Sequence, residues 1–249
     1  METPLPIEAD YPEDVFRPDL APEYRVGCAK AYFKSNFLAR RIFRQRVDIA
    51  FSLMPSGQCD RALDAGTGAG FLLPGLAARC REVDGVDLSP IIHYTQGMLD
   101  NRDLHNVKLT DADLLHLPFT DCAFDLAVCL SVIEHIPQPE AALKELARVL
   151  RNNGVLILGY PLEHAFLKSL KRMYRIEKRL RLRIRGEPLP RGKAFHPHVT
   201  NYRDLEDLVN RIFRIEIRHD IRILGFAVYR ILKLRRTAIN DSPVDLTAR

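Results

Sequence analysis

A short glycine-rich segment carries the residues most suited to ligand chemistry. It reads, in order, Asp64-Ala65-Gly66-Thr67-Gly68-Ala69-Gly70. An apolar run precedes it and a run with helical spacing follows it, so the pattern predicts a strand, a tight turn and a helix over 70–80. The glycines permit positive φ and leave the backbone open to a ligand. The N–H groups that begin the helix would face that ligand, which predicts a nucleotide-like molecule in the turn.

The spacing of the glycines separates this turn from other nucleotide-binding loops. A dinucleotide-binding fold uses Gly-x-Gly-x-x-Gly, and here the third glycine comes one residue early. No Gly-Lys-Ser/Thr follows, which excludes a Walker A loop. Asp64 stands two residues before the first glycine. A carboxylate at that position suits a cationic ligand and would suit a pyrophosphate poorly.

The order Asp64-x-Gly66-x-Gly68 resembles motif I of the class I S-adenosylmethionine-dependent methyltransferases. The resemblance covers roughly Arg61 to Tyr160, and several further motifs recur within it in order. It implies that S-adenosylmethionine is the cofactor and S-adenosylhomocysteine the product. It also implies which turn residues bind the cofactor, namely Asp64, Ala65, Gly66, Thr67 and Gly68.

A second acidic position ends the next predicted strand, over 82–87. Asp87 lies 21 residues after Gly66. A carboxylate at this place can accept hydrogen bonds from both ribose hydroxyls of a nucleotide, whereas the alternative is an acid that only caps a helix or loop. Because the matching acid of the family binds the ribose, the resemblance implies that Asp87 and the adjacent Leu88 contact the cofactor.

A third acidic segment, Asp111-Ala112-Asp113, follows a short predicted strand over 107–110. With the Leu-Pro-Phe and Phe-Asp pairs downstream, it resembles the family's segment that contacts adenine. The resemblance implies that an acid accepts from the adenine amino group and that the N–H of Ala112 meets a ring nitrogen. Asp111 and Asp113 both remain candidates for that acid, and the alternative is a surface Asx turn.

Residues that could act on the methyl acceptor lie in the segment from Ser131 to Pro137. This segment directly follows the buried strand predicted over 124–130. Strand ends of this kind face the ligand crevice of an open α/β sheet. The resemblance implies that Ser131 contacts the cofactor, and a Glu-His pair here is frequent in the quinone-biosynthesis branch. His135 is the candidate general base for a hydroxyl acceptor, because its ordinary pKa lies near neutrality. Alternatively, His135 only packs on the cofactor.

Composition restricts the compartment and the partners. No apolar run reaches the roughly 18 residues of a membrane span, and the N-terminus lacks the pattern of a signal peptide. Five scattered cysteines support neither a disulfide framework nor a zinc site, so we expect buried thiols in a reducing cytoplasm. His196 and His198 lack a third ligand at suitable spacing, so we predict no metal site.

Positive charge is concentrated in one segment. Residues 168–193 hold eleven Lys or Arg and two Glu, a net +9, and because the chain carries +5 the remainder carries −4. Apolar residues interleave with this charge, which predicts a lipid-like acceptor or peripheral contact with an anionic membrane. The other interpretations are an RNA-binding segment, which has few aromatic residues for stacking, and a solvated helix over the site.

The alternation of strands and helices predicts a Rossmann-like α/β fold. The resemblance implies a seven-stranded, mostly parallel sheet with helices on both faces and an antiparallel last strand, over 223–234. We predict a flexible N-terminus over 1–22, a helical cap over 23–56, a methyltransferase domain over 57–236 with a basic insert at 162–199, and a flexible tail over 237–249.

The expected activity is methyl transfer to an O or N of a small-molecule or lipid-like acceptor. An RNA methyltransferase and a non-catalytic nucleotide-binding interaction protein on the same fold are the alternatives. The missing Asn/Asp-Pro-Pro-Tyr motif argues against methylation of a nucleic-acid base nitrogen. The sequence leaves the oligomeric state open.

Overall fold

The chain builds one seven-stranded mixed sheet in its computed structural model, which describes residues 10, 37–57, 59–88, 91–162 and 202–236. The strands are β1 Cys59–Ala65, β2 Cys80–Asp87, β3 Val107–Asp111, β4 Phe124–Leu130, β5 Leu150–Pro161, β6 Phe213–Ile223 and β7 Phe226–Arg236. Their order across the sheet is β3-β2-β1-β4-β5-β7-β6. The five strands from β3 to β5 run parallel, and β7 runs antiparallel to both of its neighbours. The predicted fold class, including the antiparallel last strand, is confirmed.

Helices cover both faces of the sheet, as parallel crossovers require. They are α1 Phe37–Leu53, α2 Leu73–Ala77, α3 Ile91–Arg102, α4 Pro139–Val149 and α5 Tyr202–Ile212. One buried cluster joins α1, α2 and α3 to one face, and a second joins α4 and α5 to the other. The central strands are buried on both faces, which explains their almost unbroken apolar sequences.

Helix α2 is shorter than the helix predicted over 70–80. Gly70 has a φ of +72° and belongs to a series of turns, and the helix begins only at Leu73. Pro74 occupies its first turn, where a residue without an N–H is tolerated. A helix of five residues has little macrodipole, so the expected contribution of the helix N-terminus to ligand binding is wrong. The turns of the loop themselves must position the ligand.

The expectation of free thiols is wrong for two cysteines. Cys59 and Cys80 begin β1 and β2, are partners in the parallel register, and form a disulfide with their Cα atoms 4.7 Å apart. One strand-helix-strand crossover brings the starts of two neighbouring strands side by side, which a count of scattered cysteines does not reveal. Cys129 is buried as expected, whereas Cys122 is exposed and Cys28 lies outside the described residues.

A polar network fixes α5 and the β6–β7 hairpin beside β5. Arg230 of β7 donates to Asp220 of β6 at 2.7 Å and also pairs with Glu206 of α5. The hydroxyl of Tyr160, in β5, donates to the same Glu206 at 3.1 Å. Burial raises the pKa of Tyr160, so its hydroxyl stays protonated and serves as a donor.

The predicted domain limits stay predictions. The helical cap is described only over α1, and the basic insert beyond Leu162 and both predicted flexible ends lie outside the described residues. No helix in the described ranges is both long and apolar enough to span a bilayer.

Candidate cofactor and acceptor site

The glycine loop lies at the carboxyl ends of β1 and β2 and is fixed by backbone hydrogen bonds. The N–H groups of Gly66 and Thr67 both donate to the carbonyl oxygen of Val86, each at 2.8 Å. Gly66 has a φ of +80°, and a Cβ added there would overlap the side chain of Val132. Only glycine therefore fits this turn without displacing a neighbour.

Asp87 connects the loop to the end of β2. One of its carboxylate oxygens accepts from the N–H of Gly68 at 2.7 Å, and the other accepts from the N–H of Leu88 at 2.8 Å. A carboxylate offers about four lone-pair positions, so two remain for the hydroxyls of a ribose. The structure therefore places Asp87 beside the loop, as the ribose assignment requires.

Asp64 is buried beneath the loop. Its carboxylate accepts a hydrogen bond from the hydroxyl of Thr67 at 2.7 Å. Burial raises the pKa of Asp64 to about 7, and the nearby charge of Asp87 adds to the shift. A cation bound above the loop would favour the ionised carboxylate, so the site is suited to a positively charged ligand.

Strand β3 brings a further acid to the same edge, where Asp111 is the register partner of Asp87. Burial raises the pKa of Asp87, and the charge of Asp111 raises it further. Asp113 instead accepts from the N–H of Leu115 at 3.0 Å and forms the Asx turn that was the alternative interpretation. Of the two candidate acids, only Asp111 therefore belongs to the row of strand ends.

The N–H of Ala112 does not point to a ligand. It donates to the carbonyl oxygen of Asp87 at 3.2 Å. This N–H is therefore already bonded within the protein and is not available for the expected hydrogen bond to an adenine ring nitrogen. Leu88, by contrast, leaves 57% of its surface exposed directly after β2. A large exposed apolar side chain beside the ribose position provides a surface on which an adenine ring can lie.

The donor set fits S-adenosylmethionine better than a pyrophosphate. An anion-binding loop needs N–H groups that point at the ligand. Here the N–H groups of Gly66, Thr67 and Gly68 all donate to acceptors within the protein. The acids that end β2 and β3, Asp87 and Asp111, provide acceptors for hydroxyls and cationic groups instead, whereas Asp64 lies buried beneath the loop. Ala65, the last residue of β1, is buried below this surface.

A second polar cluster lies where β4 ends. The guanidinium of Arg46, from α1, donates to the hydroxyl of Ser131 at 2.5 Å, and Ser131 shares a hydrogen bond with the hydroxyl of Tyr229 in β7 at 2.9 Å. Arg46 also lies over the rings of Phe43 and Tyr229, at 4.1 and 4.9 Å. Ser131 thus contacts the helical cap and β7, and its contact with the cofactor stays a prediction. Its adjacent residue, Val132, packs against Gly66.

Glu134 and His135 follow in a short 3-10 turn, Ile133–His135. Burial raises the pKa of Glu134 to about 7, and the charge of Arg46 counteracts part of the rise. The Nε2 atom of His135 lies 4.0 Å from a carboxylate oxygen of Glu134. Both residues follow Ser131 closely in the sequence, just beyond the carboxyl end of β4. The role of His135 as a base stays a prediction.

The sequence reasoning missed Arg46, Thr95 and Tyr229. The hydroxyl of Thr95, in α3, donates to the carbonyl oxygen of Gly68 at 2.5 Å and holds the loop from the opposite side. Arg46 could have been recognised from the sequence, because it lies among the apolar positions of its helix, three residues after Phe43. A cation on a buried helical face requires a partner. No local signal identifies Tyr229, because only the strand order brings β7 beside the end of β4.

Metal ligands are not grouped in the part of the chain that the structure describes. None of its clusters holds three or more His, Cys, Asp or Glu side chains in an arrangement that could bind a metal ion. His196 and His198 lie outside the described residues.

Comparisons with known proteins agree with this geometry. Residues 63–158 match the family model described as a methyltransferase domain. The chain is 29% identical over 122 residues to a ubiquinone biosynthesis O-methyltransferase of Alkalilimnicola ehrlichii, covering 46% of this chain and 47% of that protein. It is 33% identical over 111 residues to a chloroplastic 2-methyl-6-phytyl-1,4-hydroquinone methyltransferase of Oryza sativa, covering 44% of this chain and 31% of that protein.

A solved structure shows the same fold over most of the chain. The N-methyltransferase NodS of Bradyrhizobium japonicum, in complex with S-adenosylhomocysteine, aligns with a TM-score of 0.58 at 16% identity, covering 81% of this chain and 89% of that one.

The sheet order and the solved structure agree on a Rossmann-like methyltransferase fold, and the family match covers its central part over 63–158. The chain carries a class I S-adenosylmethionine-dependent methyltransferase domain. It spans less than half the length of the curated relatives compared above.

Proposed function

We propose that the chain transfers the methyl group of S-adenosylmethionine to an oxygen or nitrogen of a small-molecule or lipid-like acceptor. The observation that carries this proposal is the pair of acids at the ends of β2 and β3, Asp87 and Asp111, beside a loop that covers Asp64 and whose N–H groups bond within the protein. S-adenosylmethionine supplies an electrophilic methyl group, and its transfer removes the positive charge from sulfur. The protein's task is mainly to align donor and acceptor.

The acceptor side of the site is the segment after β4. Ser131 is fixed by Arg46 and Tyr229, and this holds the turn that carries His135 at the edge of the sheet. For a hydroxyl acceptor, His135 takes the proton as the bond to the methyl group forms. For an amine acceptor, the nitrogen need only be neutral, and His135 then shapes the pocket.

Two observations support a lipid-like acceptor. One of the relatives named above is an O-methyltransferase of ubiquinone biosynthesis, and the other is named for a phytyl hydroquinone, a molecule with a long apolar chain. The segment over 168–193 combines a net charge of +9 with apolar residues, which suits the surface of an anionic membrane. We therefore propose that this segment brings the enzyme to the membrane in which its acceptor dissolves.

The test of the activity is incubation with S-adenosylmethionine labelled in its methyl group and a total cell extract. Label in the organic-solvent fraction with the wild type, and none with Asp87→Asn, supports the proposal. Label in RNA would instead support the RNA methyltransferase alternative. If the protein binds S-adenosylhomocysteine but labels nothing, the non-catalytic alternative replaces the proposal.

The test of the membrane contact is sedimentation with vesicles. The wild type should sediment with vesicles containing anionic lipid and remain in solution with neutral ones, and high salt should weaken the contact. A variant with Lys171, Arg172, Arg175 and Lys178 replaced by Glu should lose the contact and still bind S-adenosylhomocysteine. A wild type that ignores anionic vesicles at low salt contradicts this part of the proposal.

A further inference from the structure

The turn between β6 and β7 exposes apolar side chains to solvent. Ile223 and Phe226 pair across the hairpin, so Leu224 and Gly225 form a two-residue turn. Leu224 exposes 93% of its surface and Phe226 exposes 48%. Of the large apolar residues in the described ranges, Leu224 is the most exposed.

The backbone of this turn makes the leucine unusual. Leu224 and Gly225 have φ values of +47° and +83°, the pattern of a type I′ turn. Such turns favour Asn-Gly, because asparagine tolerates positive φ far better than leucine does. Leu224 therefore has an unfavourable backbone conformation and an unfavourable exposure to water at the same position. An apolar surface that receives this side chain would account for its exposure and for the presence of leucine where the turn favours asparagine.

The position of the turn in the fold indicates what that surface is. Strand β6 runs parallel to β5, so the hairpin turn lies at the carboxyl edge of the sheet, with the cofactor loop. Tyr229, which contacts Ser131, lies three residues beyond Phe226. Strand β5 also ends at this edge, where the N–H of Leu162 donates to the carbonyl oxygen of Val228 at 2.9 Å. The basic segment over 168–193 starts six residues after Leu162 in the sequence.

Charge at the turn agrees with an anionic surface. The guanidinium of Arg222 donates to the carbonyl oxygen of Gly225 at 3.1 Å and lies 3.8 Å from a carboxylate oxygen of Asp220. The Arg222 side chain is 61% exposed, whereas that of Asp220 is only 13% exposed and also pairs with Arg230, so the exposed charge at the turn is positive. An apolar tip beside an exposed cation matches the pattern of a membrane-surface anchor, in which the tip enters the acyl region and the cation meets a lipid phosphate.

We propose that the β6–β7 turn, through Leu224 and Phe226, inserts into an anionic lipid bilayer and presents the acceptor site to the membrane surface. This inference rests on the part of the proposed function that places the acceptor in a lipid phase. It adds a specific point of insertion on the β6–β7 hairpin, separate from the basic segment.

Fluorescence tests the insertion directly, because the chain contains no tryptophan. Phe226→Trp places a single probe at the turn, and Ile217→Trp places one in the middle of β6, where Ile217 is also exposed. With vesicles containing anionic lipid, the emission of Phe226→Trp should shift to the blue and be quenched by lipids labelled in the acyl chain. The Ile217→Trp probe should show neither effect. Absence of the shift at position 226 contradicts the proposal.

A matched substitution separates insertion from folding. Leu224→Asn supplies the residue that a type I′ turn prefers, so the variant should unfold at the same or a higher urea concentration than the wild type. Its affinity for anionic vesicles should fall about tenfold or more, because one apolar side chain no longer leaves water. Ile217→Thr, which removes a similar apolar group from the strand, should bind vesicles as the wild type does.

The outcomes distinguish this inference from the proposed function. If Leu224→Asn binds vesicles as tightly as the wild type while the charge-reversed basic segment does not, the tip plays no part and the membrane contact of the proposed function survives. If sedimentation equilibrium shows a wild-type dimer that Leu224→Asn dissociates, the tip is an interface between two copies and the inference is overturned. Methyl transfer only to a water-soluble acceptor would contradict the lipid-phase acceptor of the proposed function, and with it the claim that the turn presents the acceptor site to the membrane.

Discussion

One carboxylate, that of Asp87, links the glycine loop to the candidate ribose position. It accepts hydrogen bonds from the N–H groups of Gly68 and Leu88, and two of its lone-pair positions remain available for the ribose hydroxyls. Asp113 provides a matched comparison, since it is an acid of the same type that forms only a local turn beyond β3.

Replacement of Asp87 by Asn should weaken binding of S-adenosylhomocysteine, because the charge-assisted hydrogen bonds to the ribose are lost. We expect a loss of about 1.5–3 kcal/mol for each bond that disappears. Titration calorimetry measures the change, with Asp113→Asn as the control that should bind normally. Equal loss in both variants, or none in either, would assign the ribose to a different residue.

The buried carboxyl of Asp64 should make stability depend on pH. Its pKa rises on folding from an ordinary 3.8 to about 7, so between these values the folded state holds a proton that the unfolded state has released. The resulting stabilisation is complete below about pH 3.8, falls by up to about 1.4 kcal/mol per pH unit as the pH rises from there to about 7, and is gone above about 7.

Urea unfolding of the apo protein at several pH values between 5 and 8 measures this effect. Asp64→Asn should remove its share of the slope, whereas the slope due to Glu134, whose pKa also rises to about 7, should persist in that variant. Identical pH profiles for the wild type and Asp64→Asn would show that Asp64 is already ionised in the folded protein.

At the scale of single elements, the turn after β1 depends on close packing against the segment after β4. Gly66 and Gly57 both have positive φ, but only at Gly66 would a Cβ meet another side chain, that of Val132. Alanine substitutions at these two glycines therefore separate the effect of an unfavourable backbone conformation from the effect of a packing clash.

Gly66→Ala should lower the free energy of unfolding clearly more than Gly57→Ala, for which we expect only about 1 kcal/mol from the backbone. It should also weaken S-adenosylhomocysteine binding, because the loop must shift. The second substitution Val132→Ala should restore part of both losses by making room for the new methyl group. No rescue, with Gly66→Ala no worse than Gly57→Ala, would mean that the loop adapts without cost.

The elements show where sequence patterns suffice and where they do not. The strands are predictable because their apolar runs are buried on both faces, as in β4 and β5. Helix α2 is not, because glycine turns and Pro74 override the apolar spacing that suggested a longer helix. The Cys59–Cys80 disulfide and the Arg46–Ser131–Tyr229 cluster depend on strand order and register, which no local pattern contains.

For the whole molecule, the motifs predicted the sheet and the acids of the cofactor site because each acid follows a strand that could be recognised. The acids then lie at one edge since parallel strands share that edge. The acceptor is different, because the segments that would enclose it come from the helical cap, from β7 and from the basic insert. Long-range packing, rather than any local motif, brings such segments together.

Thermal unfolding with added ligand is the most direct measurement of the central claim that this domain binds S-adenosylmethionine. S-adenosylhomocysteine at about 100 times its Kd should add about 2.7 kcal/mol to the free energy of unfolding. For a domain of this size that corresponds to a rise in Tm of about 5–10 °C. NAD at the same concentration should give no rise, because the loop N–H groups that would hold a pyrophosphate already bond to Val86 and Asp87. A larger rise with NAD than with S-adenosylhomocysteine would contradict the account.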